Sequence, residues 1–235
     1  MMLHFRPKLV PTLILLPALA LLLFLGGWQL QRLGWKTDLI DKLQSRAVLA
    51  PVPLPNGPLD SDAWEFRPVT LTGRFDHERE IHLVNRARNG KPGVHVLTPL
   101  QVAGTEQAVL VNRGWVPFEL ADAATRAEGL TPGQVTVTGL LRFPRDPSIF
   151  MPASDPAKNQ WFAIDIPAMG DAVDTPLADY YILSADRDVP GGFPVGEQWI
   201  LDVPNDHLEY ALTWFFLAAA LLTIYLIQSC HREKP

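Results

Sequence analysis

The hydrophobic pattern divides the chain into three parts. An uncharged apolar run from Leu9 to Leu30 opens it, and a second from Tyr210 to Ile227 stands near its end. As a helix rising about 1.5 Å per residue, the first run is roughly 33 Å long, enough for a hydrocarbon core of about 30 Å. Pro11 and Pro17 near its start are tolerable, because membrane helices absorb such kinks. Ala18-Leu19-Ala20 has the look of a signal cleavage site. Ten apolar or neutral residues follow it, however, so an uncleaved anchor is predicted. The second run carries Tyr210 and Trp214 toward one end and Tyr225 toward the other, as an aromatic belt would.

Helical spacing continues past the first run, where Trp35, Leu39, Ile40 and Leu43 form one apolar stripe. The proline-rich segment at 51–58 stops that helix and reads as an extended linker. Beyond it the period falls to two. Val69, Leu71 and Phe75 alternate with polar residues; Ile81 and Leu83, then Val94 and Val96, lead the next runs. Val109 to Arg113, Val135 to Thr138, Trp161 to Ile166 and Tyr180 to Leu183 complete the set, and Asn89-Gly90 is a hairpin turn signal. Ala121 to Glu128 and Ala168 to Val173 read as short helices. The predicted fold is therefore two transmembrane α-helices flanking a mostly antiparallel β domain, a sandwich or partly closed barrel, with one or two short helices. Val69-Thr70-Leu71-Thr72-Gly73 is echoed by Val135-Thr136-Val137-Thr138-Gly139, the pattern of two half-buried strands or of two related β units.

Charge gives an orientation. Residues 188–209 hold five acidic residues and no Lys or Arg, whereas Arg232 and Lys234 follow the second span. By the positive-inside rule the tail is cytoplasmic. Two spans then place residues 1–8 and 229–235 in the cytoplasm, with spans at 9–31 and 207–228, and residues 32–206 on the extracytoplasmic side. Outside the two tails the chain holds 16 basic and 24 acidic residues, which argues against nucleic-acid binding. One cysteine, Cys230, excludes an intramolecular disulfide, Cys-x-x-Cys chemistry and a thiolate zinc site.

No Gly-x-Ser-x-Gly elbow, Walker loop, dinucleotide fingerprint or His-Glu-x-x-His occurs, so no enzyme class is indicated. His77 and His82 straddle a turn but lack a third ligand, and read as surface histidines. Arg86, Arg88 and Lys91 cluster beside Asn89-Gly90, as a solvated tip or as a site for a propionate, a headgroup or an acidic partner. His207 opens the second span and shares a helix face with Tyr210, Ala211 and Trp214. Trp28, Arg32 and Trp35 share a face at the same end of the first span. An imidazole near two tryptophans and an arginine suits a flat, propionate-bearing tetrapyrrole; a capping histidine within an aromatic belt is the plainer alternative.

Four motifs carry a resemblance. They are Gly27-Trp28-Gln29-Leu30-Gln31-Arg32 with Trp35-Lys36; Gly93-Val94-His95-Val96-Leu97-Thr98-Pro99-Leu100; Val111-Asn112-Arg113-Gly114-Trp115-Val116-Pro117; and Asn205-Asp206-His207-Leu208-Glu209-Tyr210-Ala211-Leu212-Thr213-Trp214-Phe215. In that order, between two terminal spans, they resemble the surfeit locus protein one family of cytochrome oxidase assembly factors. The resemblance implies a non-enzymatic role where haem a enters the large subunit of a haem–copper oxidase. It implies transient haem a binding, with His207 as iron ligand and Tyr210 and Trp214 beside it; Trp28 and Arg32 join as cofactor-binding candidates. Implied partners are the oxidase large subunit, haem a synthase and the lipid bilayer. A membrane chaperone that clamps an oxidase intermediate without touching haem is the alternative. Arg113-Gly114-Trp115 reads as architectural, a tight bend at Gly114 with Trp115 filling the core.

The topology makes a direct prediction. A cytoplasm-dependent reporter fused after Pro235 is expected to be active, and the same reporter in the 51–58 segment inactive. The reverse pattern would move the β domain to the cytoplasm.

Overall fold

In chain order the elements begin with β1 (Leu3–Phe5), α1 (Leu9–Ala47), β2 (Val52–Pro53), α2 (Ser61–Trp64) and β3 (Pro68–Phe75). β4 (Ile81–Arg88), β5 (Lys91–Val102), β6 (Ala108–Pro117) and β7 (Gln134–Arg142) follow. β8 (Gln160–Trp161), α3 (Ile166–Ala172), β9 (Leu177–Ser184), α4 (His207–Ser229) and β10 (Cys230–Arg232) complete the chain. The structure is a computed structural model and describes residues 3–5, 7–199, 201 and 203–232. It forms two units, Met1–Asp41 with Asp202–Pro235, and Lys42–Leu201.

The first unit is a helix pair. Both α1 and α4 are long and apolar enough to cross a membrane. Their large apolar side chains, among them Leu13, Phe24, Phe216 and Ile227, face outward, as a hydrocarbon solvent permits. The surface they share is made of small residues. Ala211 and Ala218 are buried, and Gly26 leaves room for the Phe215 ring, which a Cβ would meet at 2.6 Å. Thr12 and Tyr225 share a hydrogen bond of 2.6 Å near one end of the pair, and Asn205 Nδ2 donates to Thr37 Oγ1 at 3.2 Å near the other. These contacts run in opposite sequence directions along the two segments, so the helices are antiparallel. β1 and β10 pair antiparallel beyond them.

The second unit is a β domain whose sheet runs β2-β3-β7-β9-β6-β5-β4-β8. A further β3–β5 pairing closes β3, β7, β9, β6 and β5 into a five-stranded barrel. Gly73 sits at that closure; a Cβ there would lie 2.4 Å from the Gln101 carbonyl oxygen. Most neighbours are antiparallel, but β2–β3, β4–β8 and β6–β9 are parallel. Alternation sorts side chains between inside and outside. Val69, Leu71, Leu100, Val111 and Ile182 fill the barrel, while Leu97, Leu110 and Leu183 face out against Trp161, Ile166 and Met169. The echoed sequences prove to be neighbours: Leu71 pairs with Val137, and Thr72 and Thr136 share a hydrogen bond of 2.9 Å.

Three expectations are corrected. The 51–58 segment is not wholly a free linker, because Val52 and Pro53 pair with Val69 and Thr70, and Leu54 N–H reaches Thr70 O at 2.8 Å. Val52 and Leu54 pack on the barrel core, and prolines are tolerated on such an edge strand. The Trp161–Ile166 run is strand only at Gln160–Trp161. Asp165 then caps α3, accepting from Ala168 N–H at 3.1 Å, so the chain turns helical inside an apolar run. Arg113-Gly114-Trp115 is not a turn but a β-bulge within β6. Val96 faces Gly114 and Leu97 faces Asn112, which leaves Arg113 as the extra residue. Gly114 has φ +123°, and a Cβ there would lie 1.9 Å from the Val195 carbonyl oxygen. Trp115 fills the core as expected, its indole N–H donating to Arg86 O at 3.2 Å.

The bulge sets a contrast of stability. Gly114→Ala, with forbidden φ and a backbone collision, should cost on the order of 3 kcal/mol or more, against about 1 kcal/mol for Gly90→Ala, which meets open space. Trp115→Ala should cost roughly 3–5 kcal/mol. Denaturant midpoints followed by far-UV dichroism check both; equal midpoints for the two glycine variants would remove the bulge as a structural keystone.

Candidate functional site

α4 begins after a turn at Asp206, and Tyr210 N–H closes the first helical turn on Asp206 O at 3.2 Å. This puts His207 at the first helical position. Its Nδ1 lies 2.7 Å from Gln29 Oε1 on α1. An amide oxygen only accepts, so Nδ1–H donates and the lone pair of the neutral ring resides on Nε2. No described residue hydrogen-bonds Nε2. Two residues earlier, Asn205 Oδ1 is buried without a hydrogen-bond partner among the described residues.

The other sequence-predicted residues gather around this bond without joining it. Trp28 and Arg32 stand one residue before and three after Gln29 on α1, both exposed. Arg32 lays its guanidinium 4.7 Å over the Trp35 ring and makes no ion pair with any described residue. On α4, Tyr210 is exposed and Trp214 half-buried, one and two turns beyond His207. The structure thus joins His207 to Gln29 and Arg32 to Trp35. No hydrogen bond or ion pair links His207 to Trp28, Arg32, Tyr210 or Trp214.

Gln29 is the residue that sequence reasoning missed. It stood in the first motif as a polar residue inside an apolar span, a usable signal, but its partner depends on the register of two helices 178 residues apart. Among the described residues no group of three or more His, Cys, Asp or Glu could hold a bare metal ion. A single open imidazole nitrogen, exposed aromatic faces and an unpaired cation fit instead a metal that brings its own equatorial ligands and carries acidic groups.

The β domain holds a second cluster, and it is structural. Glu80 is buried, and Arg126 meets both its oxygens, Nη1 to Oε1 at 3.3 Å and Nη2 to Oε2. The bulged Arg113 stands 3.6 Å from Glu80, donates to Gly129 O at 2.5 Å and covers the Phe75 ring at 4.8 Å. His77 is part of this cluster rather than a surface residue: its Nε2–H donates to Thr131 O at 3.0 Å, and Arg113 Nη1 lies 3.4 Å from its Nδ1. His82 is half-buried too. Burial pulls the Arg113 guanidinium down to about 10, Glu80 pushes back, and the group stays charged at neutral pH. A cleft of about 210 Å³ opens beside Arg113, and another of about 570 Å³ beside Arg86. In the first, the Ser184 hydroxyl donates to Asp186 Oδ2 at 3.1 Å with no histidine or lysine between them; the second is lined by no Ser, Thr or Cys among the described residues. Arg86, Arg88 and Lys91 remain at the hairpin tip, where Asn89 and Gly90 both take positive φ.

Residues 16–219 match the family model of the SURF1 family. The chain is similar to Surfeit locus protein 1 of Mus musculus, 36% identical over 240 residues, covering 95% of this chain and 76% of that protein. It is likewise 36% identical over 232 residues to Surfeit locus protein 1 of Homo sapiens, covering 92% and 75%. To Surfeit locus protein 1 of Arabidopsis thaliana it is 32% identical over 252 residues, covering 84% and 71%. The family match includes both Gln29 and His207.

Two groups make the β domain sensitive to acid. Burial, then the charge of Arg86, pulls His95 down to about 4, and its Nδ1 must stay unprotonated to accept from Asn112 Nδ2 at 3.2 Å. The unfolded chain therefore takes up this proton first. Stability is full above the unfolded value of about 6.5 and declines as pH falls toward 4, by about 2–3 kcal/mol in all. Burial alone would raise Glu80, but the nearby His77 ring, 3.9 Å away, the hydrogen bonds from Arg126 and the charges of Arg126 and Arg113 outweigh it, leaving it below the usual carboxylate value. Its contribution is lost only at lower pH, as Glu80 itself is protonated. His95→Gln should flatten the fall in melting temperature between pH 7 and 4.5. An unchanged slope would remove His95 as its source.

Proposed function

The chain belongs to the SURF1 family, and on that premise we propose that it is an assembly factor for a haem–copper terminal oxidase. In this reading it holds haem a transiently and aids its insertion into the oxidase large subunit. The supporting observation is the state of His207, a ring fixed through Nδ1 and open at Nε2. When bound, haem a would supply an iron that a neutral imidazole nitrogen can ligate.

Each residue has a part. His207 would hold the iron through its Nε2 lone pair. Arg32, without an ion pair among the described residues, offers a charge-assisted contact to a propionate. Trp28, Tyr210 and Trp214 offer apolar faces that exclude water from the ring. One protein ligand and a single open coordination contact suit release as well as capture. The role is binding and handover rather than catalysis, at the periplasmic surface of a cell inner membrane with both termini cytoplasmic. Partners are the oxidase large subunit, haem a synthase and the bilayer itself.

A second reading is a clamp that grips an oxidase intermediate without haem. The β7–β8 loop favours it, because Ile149 and Phe150 are 91% and 89% exposed at its tip. The absorption spectrum of protein purified from haem a-producing cells separates the two. His207→Ala should abolish or shift the haem band while the protein remains folded and membrane-inserted, and oxidase activity should fall in parallel. Arg32→Ala should weaken retention without changing the axial ligand. His77→Ala and His82→Ala should leave the band unchanged, His77→Ala at lower domain stability. Full haem loading of His207→Ala with oxidase assembly still impaired would favour the clamp.

A further inference from the structure

We infer that Gln29 is the positioning residue for His207: its side-chain oxygen holds the ring in the Nδ1–H tautomer and so keeps the Nε2 lone pair free. The inference rests on the haem-ligand reading only for its use, since the geometry is a property of the protein alone. A neutral imidazole carries one N–H, and which nitrogen bears it is set by the hydrogen bond on offer. Gln29 Oε1, 2.7 Å from Nδ1, can only accept. The proton is thereby held on Nδ1, facing α1, and Nε2 is left as the nitrogen with a lone pair.

The setting strengthens this choice. The bond is half-buried near the end of the apolar α1 run, where an amide without its partner is costly. Thr12–Tyr225 ties the same two helices, and Thr37–Asn205 ties α1 to the residues just before α4, both without an imidazole. Gln29 is therefore not needed merely to join them. A ligating histidine commonly donates its second N–H to an oxygen acceptor that fixes its orientation. A neutral amide in that role, rather than a carboxylate, leaves the imidazole a moderate donor. That matches a ligand meant to let go.

The test uses the full chain in lipid nanodiscs with 15N-labelled histidine. In the haem-free protein, His207 should show a protonated Nδ1 and an unprotonated Nε2. Gln29→Leu should lose that preference, and Gln29→Glu, which keeps an acceptor at the same reach, should restore it. In a hemin titration, Gln29→Leu should bind about tenfold more weakly. Gln29→Glu should recover binding and lower the midpoint potential of the bound iron, because a carboxylate makes the imidazole a stronger donor; a merely structural tie would not move that potential. An Nε2–H tautomer in the wild type, or an unchanged tautomer in Gln29→Leu, would overturn the inference. Hemin binding undiminished in His207→Ala, beside a tautomer that follows Gln29, would overturn the haem-ligand reading and support the hold of Gln29 on the ring.

Discussion

The β domain depends on one backbone irregularity, the extra residue that Gly114 admits into β6. A regular strand would have placed Arg113 in the alternation, in or out. The bulge instead gives Arg113 a direction of its own, toward Glu80 and Gly129. Asn112 stabilises it by accepting Gly114 N–H through Oδ1 at 3.1 Å while its amide nitrogen serves His95. Beyond the bulge, Trp115 exchanges backbone hydrogen bonds of 2.9 Å with Val195, so the same point recruits the last segment of the domain. Three residues of one motif thus carry a turn of the sheet, a buried charge and a long-range contact. Glycine alone satisfies both the φ value and the approach of the Val195 carbonyl.

The helix pair solves a different problem. In hydrocarbon, apolar surface does not drive helices together, so association relies on close approach and polar ties. Gly26, Ala211 and Ala218 provide the first, and Thr12–Tyr225, Gln29–His207 and Thr37–Asn205 provide the second. One of these ties carries an imidazole with a free nitrogen, which makes a structural contact chemically useful. Function of the proposed kind needs no cavity cut into a core. It needs one ring held still.

Much of this was legible in the chain. The uncharged runs marked both spans, and period-two alternation marked most strands, because burial on one face leaves a trace in every second residue. The bulge was not legible as such: Val109, Val111 and Arg113 run through it in unbroken alternation, and only a glycine inside a strand hinted at it. The Asp165 cap was masked by apolar neighbours. The Glu80–Arg126 pair joins residues 46 apart, with no local pattern to announce it. At the candidate site, His207, Trp28, Arg32, Tyr210 and Trp214 are candidates singled out by residue type and by their place at the span ends. Gln29 was passed over, because its role exists only once two antiparallel helices are in register.

The strand order carries a consequence for how the molecule is made. β9, the last strand of the barrel to be synthesised, does not lie at an edge; it is inserted between β7 and β6. Until residue 184 has left the ribosome, those two strands face a gap, and the earlier residues amount to an open sheet with two sticky margins. Only about twenty residues then separate β9 from α4. The barrel and the second span must therefore be completed almost together. Until then the nascent chain is tethered by α1, with an unfinished sheet that is open to mispairing.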